Sequence, residues 1–409
     1  MNLQSVVNLD DLRQLARRKL PRIAFDFIEG GADDEHCLQR NRDAFLKHQL
    51  LPRYLRDVSQ RDQSVMLLGR RYASPIGISP TGLAGLFYPD ADLLLAAAAR
   101  ECDVPFLLSS AANGSIEQVA ALAPEHVWFQ MYCTRDERIN ADLVKRAVAA
   151  QVRVLVLSVD VPVNSNRERN RRNGFSRPFR LTPPVALEAL GHPMWVLRYL
   201  RTRGIPMMQN WAPYAPAGAT AGEVADLYGT LTPAPMVSWE HLRRIRDSWT
   251  GPLVVKGLMH PEDAHQAVHL GADAIIVSNH GGRQLDAAPA PLDVLPAVRA
   301  AVGPGVTVML DSGVRRGSDV VTARCLGADA CIFGRPTLYG VAAGGQAGAE
   351  LALRIVRKEV DQMLAQIGCR RFDELHAGYL WPPHPAAPPA AAHPLPTTTT
   401  PTTTPETTT

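Results

Sequence analysis

From residue 73 onward the chain alternates between short apolar runs and longer Ala/Leu-rich stretches. The runs are ASPIGIS (73–79), VPFLLS (104–109), VWFQM (127–131), RVLVLSVD (153–160), PLVVKG (252–257), AIIVSN (274–279), TVMLD (307–311) and ACIFG (330–334). They are continuous rather than alternating, and rich in β-branched residues, which fits strands buried on both faces. Between them, Asp92–Arg100, Ile139–Ala150, Pro261–Leu270 and Gly317–Leu326 read as helices. Eight strands, each followed by a crossover, predict an α/β chain folded as a (β/α)8 TIM barrel. A doubly wound open sheet is the alternative. Ahead of the barrel, residues 1 to about 50 read as N-terminal helices. Asp10-Asp11 can cap Leu12–Leu20, Pro21 can begin a second helix, and Gly30-Gly31 can end it.

One connection breaks the rhythm. Residues 161–251, after strand 4, form an insertion far longer than a simple βα loop. It carries Arg167, Arg169, Arg171, Arg172, Arg177, Arg180, Arg198, Arg201 and Arg203, with few acids. Met194, Trp195, Tyr199, Met207, Met208 and Trp211 are interleaved. Such a stretch, 176–215 above all, could lie on an anionic membrane surface; a lid or an oligomer contact is the alternative. The barrel with these additions is expected to span 1–381. The Pro/Ala/Thr-rich tail, 382–409, cannot bury a core and is expected to be disordered.

Composition narrows the partners. The chain is 46% hydrophobic and 20% charged, an ordinary globular balance, and its net charge of +3 is too small to argue for nucleic acid. The six cysteines form no CxxC pair and read as reduced thiols. The N-terminus has no apolar signal region, and no stretch is apolar enough over sufficient length to span a membrane. The expected location is cytoplasmic, either soluble or peripheral on the inner face of the membrane. No metal-ligand spacing stands out.

The chemistry is sought where barrels keep it, at the C-terminal strand ends. The first end gives Pro80-Thr81-Gly82; the second Ser109; the third Gln130 and Tyr132; the fourth Ser158 and Asp160; the fifth Lys256-Gly257. The sixth gives Ser278, His280 and Arg283; the seventh Asp311, Ser312, Gly313, Val314 and Arg315; the eighth Gly334-Arg335. Barrels often hold phosphate on the last two loops. Here their glycines permit close approach, Arg315 and Arg335 supply charge-assisted donors, and the helix after Gly317 adds N–H groups; Arg316 reads as solvent-facing. His280 has a prospective orienting acid in Asp160, which favours its protonated form. Arg283 can fork onto a carboxylate, and Lys256 can stabilise negative charge on a reduced cofactor ring. Together these point to chemistry on a carbon next to a carboxylate.

With those residues in view, SNHGGRQLD, preceded by VKG and followed by DSGVRRGSD and GRP, resembles the FMN-dependent L-2-hydroxy acid oxidases and dehydrogenases. LPRIAFDFIEGGADDE and WFQMY also fit, and the resemblance runs from about Leu9 to Leu380. VPVNSNRERNRRNGF and GHPMW look most like the mandelate and lactate dehydrogenase branch. The resemblance implies FMN as cofactor and a small 2-hydroxy acid, mandelate- or lactate-like, oxidised to the 2-oxo acid. Electrons would pass to a quinone or other carrier, or, in an oxidase, to O2. It implies that His280 takes the Cα proton, or the hydroxyl proton if hydride moves to flavin N5. Asp160 would stabilise that histidine, Arg283 and Arg167 would hold the carboxylate, and Tyr132 would bond near the substrate hydroxyl or carboxylate. Lys256 would lie near flavin N1 and O2. Pro80, Thr81, Gly82, Ser109, Gln130, Ser158, Lys256 and Ser278 would contact the flavin, and residues 311–315 with Gly334 and Arg335 the phosphate end. By analogy the protein would be a homo-oligomer, a tetramer.

One position departs from the family. Phe27 stands where tyrosine usually offers a hydroxyl to the substrate carboxylate. One such bond is worth about 1.5–3 kcal/mol, and a more apolar wall favours a bulky or aryl side chain. The alternatives are a phosphate-binding barrel isomerase or IMP-dehydrogenase-like enzyme, which does not require Asp160, His280 and Arg283 together, and a non-catalytic flavin-binding barrel, with Phe27 as a sign of decay.

Overall fold

The computed structural model describes residues 2–175, 182–202, 204 and 206–382. Arg177, Arg180 and Arg203, and the tail expected to be disordered beyond residue 382, lie outside the described residues. The apolar runs become eight parallel strands: β1 (Ile76–Ile78), β2 (Phe106–Ser109), β3 (Val127–Met131), β4 (Val154–Ser158), β5 (Leu253–Leu258), β6 (Ala274–Val277), β7 (Thr307–Asp311) and β8 (Ala330–Phe333). They close in sequence order, with β8 pairing β1. Closure excludes the open sheet and leaves no barrel edge.

Two cores explain why the runs are continuous rather than alternating. Inward-facing Leu107, Trp128, Val154, Val156, Val254, Ile276, Met309 and Ile332 fill the barrel. Outward-facing Phe129, Leu155, Leu157, Val255, Ile275 and Leu310 pack beneath the surrounding helices. An antiparallel pair, Val65–Leu67 with Arg70–Tyr72, supplies Leu67 and Tyr72 to the interior cluster. The Tyr72 hydroxyl accepts from Trp128 Nε1 at 3.1 Å.

Three helices precede the barrel: α1 (Leu9–Lys19), α2 (Arg22–Glu29) and α3 (His36–Leu46). The cap of α1 differs from the sequence expectation. Asn8 accepts from the Asp11 N–H, while the Asp11 carboxylate accepts from the Val7 N–H. Asp10 and Asp11 therefore sit in the first turn, where they favour the helix dipole. Gly313 packs so closely on α3 that a Cβ there would fall on the Asn41 carbonyl.

The long connection after β4 folds into helices Glu168–Arg172, Pro183–Leu190, Pro193–Arg201 and Ala221–Leu231, then the ordinary crossover helix Trp239–Ser248. Its aromatic residues divide differently from the sequence reading. Trp211 is fully buried and donates to the Ser110 carbonyl; Trp195 donates to Leu86 O, and the Tyr199 hydroxyl to Gly85 O. Those rings anchor the insertion to the barrel top. On helices Pro183–Leu190 and Pro193–Arg201 the large apolar residues exposed among those described are Leu187, Leu190, Met194, Leu197 and Leu200. No described helix is long and apolar enough to cross a membrane.

Candidate active site

The turn after β6 sets the centre of the site. His280, Gly281 and Gly282 have φ of 59°, 68° and 74°, three left-handed residues in succession. Only glycine takes this region cheaply, so the cost falls on His280. The surroundings hold the turn: His280 N–H donates to Ser278 Oγ, Gly281 N–H to Ser312 Oγ, and Gly282 N–H to Asn279 Oδ1. The two glycines are required by protein neighbours. A Cβ on Gly282 would meet the Leu38 backbone at 2.8 Å, and one on Gly281 the Arg335 guanidinium at 2.7 Å. Asp286, at the end of the same motif, accepts from Cys37 N–H at 2.7 Å and so caps α3.

His280 faces Asp160 from the end of β4, Nδ1 to Oδ1 at 3.0 Å. An ionised carboxylate only accepts, so Nδ1 carries the hydrogen and Nε2 keeps its lone pair. Burial would raise the Asp160 carboxyl, but His280 and then Lys256 outweigh it and hold it below the usual carboxylate range. Burial likewise pushes the His280 imidazole below its ordinary value; Asp160 opposes this, while Lys256 and Arg167 add to it. The pair is therefore Asp160 anion and neutral His280 near pH 7.

Lys256 is buried on β5. Its ammonium contacts Asp311 Oδ2 at 2.8 Å and Ser278 Oγ at 3.0 Å. Burial would lower its pKa, but Asp311 and Asp160 raise it above the ordinary lysine value. The same Asp311 oxygen accepts from Ser278 and Ser79 hydroxyls. Asp311, read in sequence as part of a phosphate loop, is thus the counter-ion of Lys256.

Arg283 and Arg335 both grip the end of α2. Arg283 Nη1 donates to Phe27 O at 2.8 Å and Gly30 O at 2.9 Å. Arg335 donates from Nε to Ile28 O, from Nη2 to Gly30 O, and from Nη1 to Gly281 O. Of these, Phe27 O, Ile28 O and Gly30 O lie in the last turn and cap of α2, where a helix C-terminus leaves carbonyls unpaired. The Arg283 guanidinium also lies 5.1 Å from the centre of the Phe27 ring, which packs at a tilt against Phe175 with ring centres 4.7 Å apart.

These groups surround a cavity of about 340 Å³ at the C-terminal mouth of the barrel. Its wall includes Phe27, Pro80, Thr81, Gly82, Ser109, Tyr132, Arg167, Lys256, His280 and Arg283, then Asp311, Ser312, Gly313, Arg315, Gly334 and Arg335. Gln130, Ser158, Asp160, Ser278 and Val314 do not line it; Ser158 instead lines a smaller apolar cavity of about 240 Å³ beside Tyr132.

Residues 16–382 match the family of FMN-dependent dehydrogenases. The chain belongs to that family. It is 40% identical over 380 residues to (S)-mandelate dehydrogenase of Pseudomonas putida, spanning 92% of this chain and 94% of that one. It is 40% identical over 367 residues to an L-lactate dehydrogenase of Caulobacter vibrioides, spanning 89% and 95%. A crystal structure of the monotopic membrane protein (S)-mandelate dehydrogenase superposes with a TM-score of 0.89 at 41% identity, covering 92% and 99% of the two chains.

The residues present fit the family's FMN. Thr81 Oγ1, both amide atoms of Gln130, Ser158 Oγ and Asp160 Oδ2 are buried with no hydrogen-bond partner among the described residues. Unpaired buried polar atoms are costly, and this set sits at the ends of β1, β3 and β4, where a polar planar ring supplies partners. At the phosphate end the helix N–H groups are engaged elsewhere. The N–H groups of Arg315 and Arg316 both donate to Asp319 Oδ2, and that of Gly317 to Glu359 Oε2, so the start of helix Gly317–Cys325 is already capped. Arg335 donates one N–H of each nitrogen to a carbonyl and keeps two further N–H groups on Nη1 and Nη2, at the cavity wall. Arg315 lines the cavity, and Arg316 is exposed beside Glu359, as expected.

Sequence reasoning missed Asn164, Phe175, Tyr228 and Gln284 on the cavity wall, and did not assign Met208 to it. Phe175, Met208 and Tyr228 come from the insertion, whose aromatic content was the only available signal.

Proposed function

We propose that the protein oxidises an L-2-hydroxy acid with a bulky, aryl-type side chain to the 2-oxo acid, with His280 as the base. The carrying observation is the 3.0 Å Asp160–His280 pair beside a cavity that also presents Arg167, Arg283 and Tyr132. Bound FMN supplies the two-electron acceptor. Arg283 and Arg167 bind the substrate carboxylate and so fix which face of Cα meets His280. The neutral imidazole receives the substrate proton at Nε2, and Asp160 stabilises the imidazolium that results. Lys256, fixed by Asp311, keeps a positive charge where the cofactor ring gains negative charge. Tyr132, whose phenol burial holds well above its ordinary pKa, stays protonated and donates to the substrate oxygen. Thr81, Gln130 and Ser158, whose buried polar atoms lack partners among the described residues, would hold the ring, and Ser312, Gly313, Arg315 and Gly334 would hold the phosphate end.

The aryl preference is supported by Phe27, Phe175, Met208 and Tyr228, which give the cavity an apolar flank. Exposed Leu187, Leu190, Met194, Leu197 and Leu200, with exposed Arg201 in the last turn of Pro193–Arg201, support peripheral contact with an anionic membrane. A membrane-borne carrier then takes the electrons. The test is anaerobic addition of (S)-mandelate, L-lactate and glycolate to the yellow holoenzyme. Bleaching fastest with mandelate is expected, and no bleaching with any of them overturns the proposal. Slow reoxidation in air marks a dehydrogenase; fast reoxidation marks an oxidase instead.

A further inference from the structure

Strand β5 contains an irregularity that faces the catalytic pair. Val255 and Lys256 register with Ile275 and Ile276 of β6, but the next residue to pair, with Val277, is Leu258. Gly257 is the extra residue, with φ of 103°. On the other side, the Lys256 carbonyl accepts from Val159 N–H at 2.9 Å, which brings the bulge alongside Asp160. A Cβ built on Gly257 would lie 2.5 Å from both Cβ and Cγ of Asp160 and 2.8 Å from Oδ2. Two carbons cannot approach so closely, and the obstacle is not the end of a long, flexible side chain. Asp160 is short, and its carboxylate is held at 3.0 Å from His280.

We propose that Gly257 is a positioning residue for the Asp160–His280 pair: the bulged glycine reserves the space the Asp160 carboxylate must occupy to orient the base. The inference rests on the reading of His280 as base. The bulge has a second effect on the same strand. By taking up one residue without a ladder partner, it lets Lys256 point to Asp311 while the chain passes beneath Asp160. Any side chain at 257 must displace the carboxylate by a sizeable fraction of an ångström.

The test uses holoenzyme. In Gly257→Ala, anaerobic flavin reduction is expected to slow by about 100-fold, the scale of a 1 Å misplacement, with FMN retained and KM nearly unchanged. The acid limb of the pH–rate profile moves to lower pH. Of the groups facing His280, Lys256 and Arg167 lower its pKa, Asp160 raises it, and the Tyr132 ring is tilted with its centre 6.5 Å away. Asp160→Asn should move the limb in the same direction. Gly303→Ala is the control for left-handed strain: φ is 75° and nothing lies within 4 Å of its Cβ. It should match the parent enzyme.

A Gly257→Ala enzyme with the parent rate and profile overturns the proposal. If Asp160→Asn also leaves both unchanged, the reading of the pair falls with it; if Asp160→Asn lowers the rate, only the role of Gly257 falls. Should Gly257→Ala fail to fold, the comparison is Asp160→Gly with and without Gly257→Ala. Recovery of folded, flavin-loaded double variant supports the clash, and equal failure overturns it.

Discussion

Replacing Asp311 by asparagine isolates the charge that sustains Lys256. The two side chains are only 3% and 10% exposed, and their contact is 2.8 Å. Removing one partner of a buried pair costs about 3–5 kcal/mol, because the remaining charge is left uncompensated. Asparagine keeps one acceptor oxygen and Asp160 still attracts the ammonium, so the expected loss is about 2–4 kcal/mol, well within reach of a folded stability of about 5–15 kcal/mol. Lys256 has its pKa raised above 10.5 by this environment. Its contribution is therefore complete below that value and is lost only as pH rises through the higher folded value. Urea denaturation of the apoprotein at pH 7.5 reads the whole effect, and the difference from the parent should be constant from about pH 7 to 9. The double variant Lys256→Met with Asp311→Leu should be more stable than Asp311→Asn alone. A loss below about 1 kcal/mol, or a double variant that merely sums the two single losses, would refute the reasoning.

Phe27→Tyr should raise kcat/KM for mandelate by about 10- to 150-fold, the equivalent of one hydrogen bond to a charged group at about 1.5–3 kcal/mol. Unchanged steady-state kinetics would mean the para position is turned toward Phe175. Arg335→Lys removes the fork that spans Ile28, Gly30 and Gly281. It should lower the melting temperature and speed flavin release, at a cost of about 2–3 kcal/mol; unaltered flavin retention would contradict its role as a strut. Asp92 is buried, accepts from Asn113 and Gly114 N–H groups, and is pushed up to about 6. Its charge therefore costs stability above that pH, up to about 3 kcal/mol, and the cost fades as the folded carboxyl protonates. Asp92→Asn should melt higher than the parent at pH 8 and gain nothing at pH 4; a lower melting point at pH 8 would show that the charge itself holds those amides.

Much of the architecture was legible because burial on two faces leaves a local mark. The continuous apolar runs located all eight barrel strands to within three residues at either end, and the polar residues that follow them met at one mouth. The Asp160–His280 contact was also readable, since closure in sequence order brings the ends of β4 and β6 within reach across β5. What the chain could not disclose locally was how each polar group spends its hydrogen bonds. Asp311, Arg335 and the N–H groups of residues 315–317 all looked like cofactor ligands, yet Lys256, the carbonyls of Ile28, Gly30 and Gly281, and two carboxylates also engage them. The glycines of SNHGGRQLD make room for α3 and Arg335, neighbours that nothing near them in the chain announces. Such partners lie tens to hundreds of residues away, and no periodicity encodes them. The sequence alone determined the barrel, its mouth and the chemical groups delivered there. Only the tertiary structure decided which of those groups support one another and which remain free for a ligand, because a buried donor or acceptor takes whatever partner the packing places within about 3 Å.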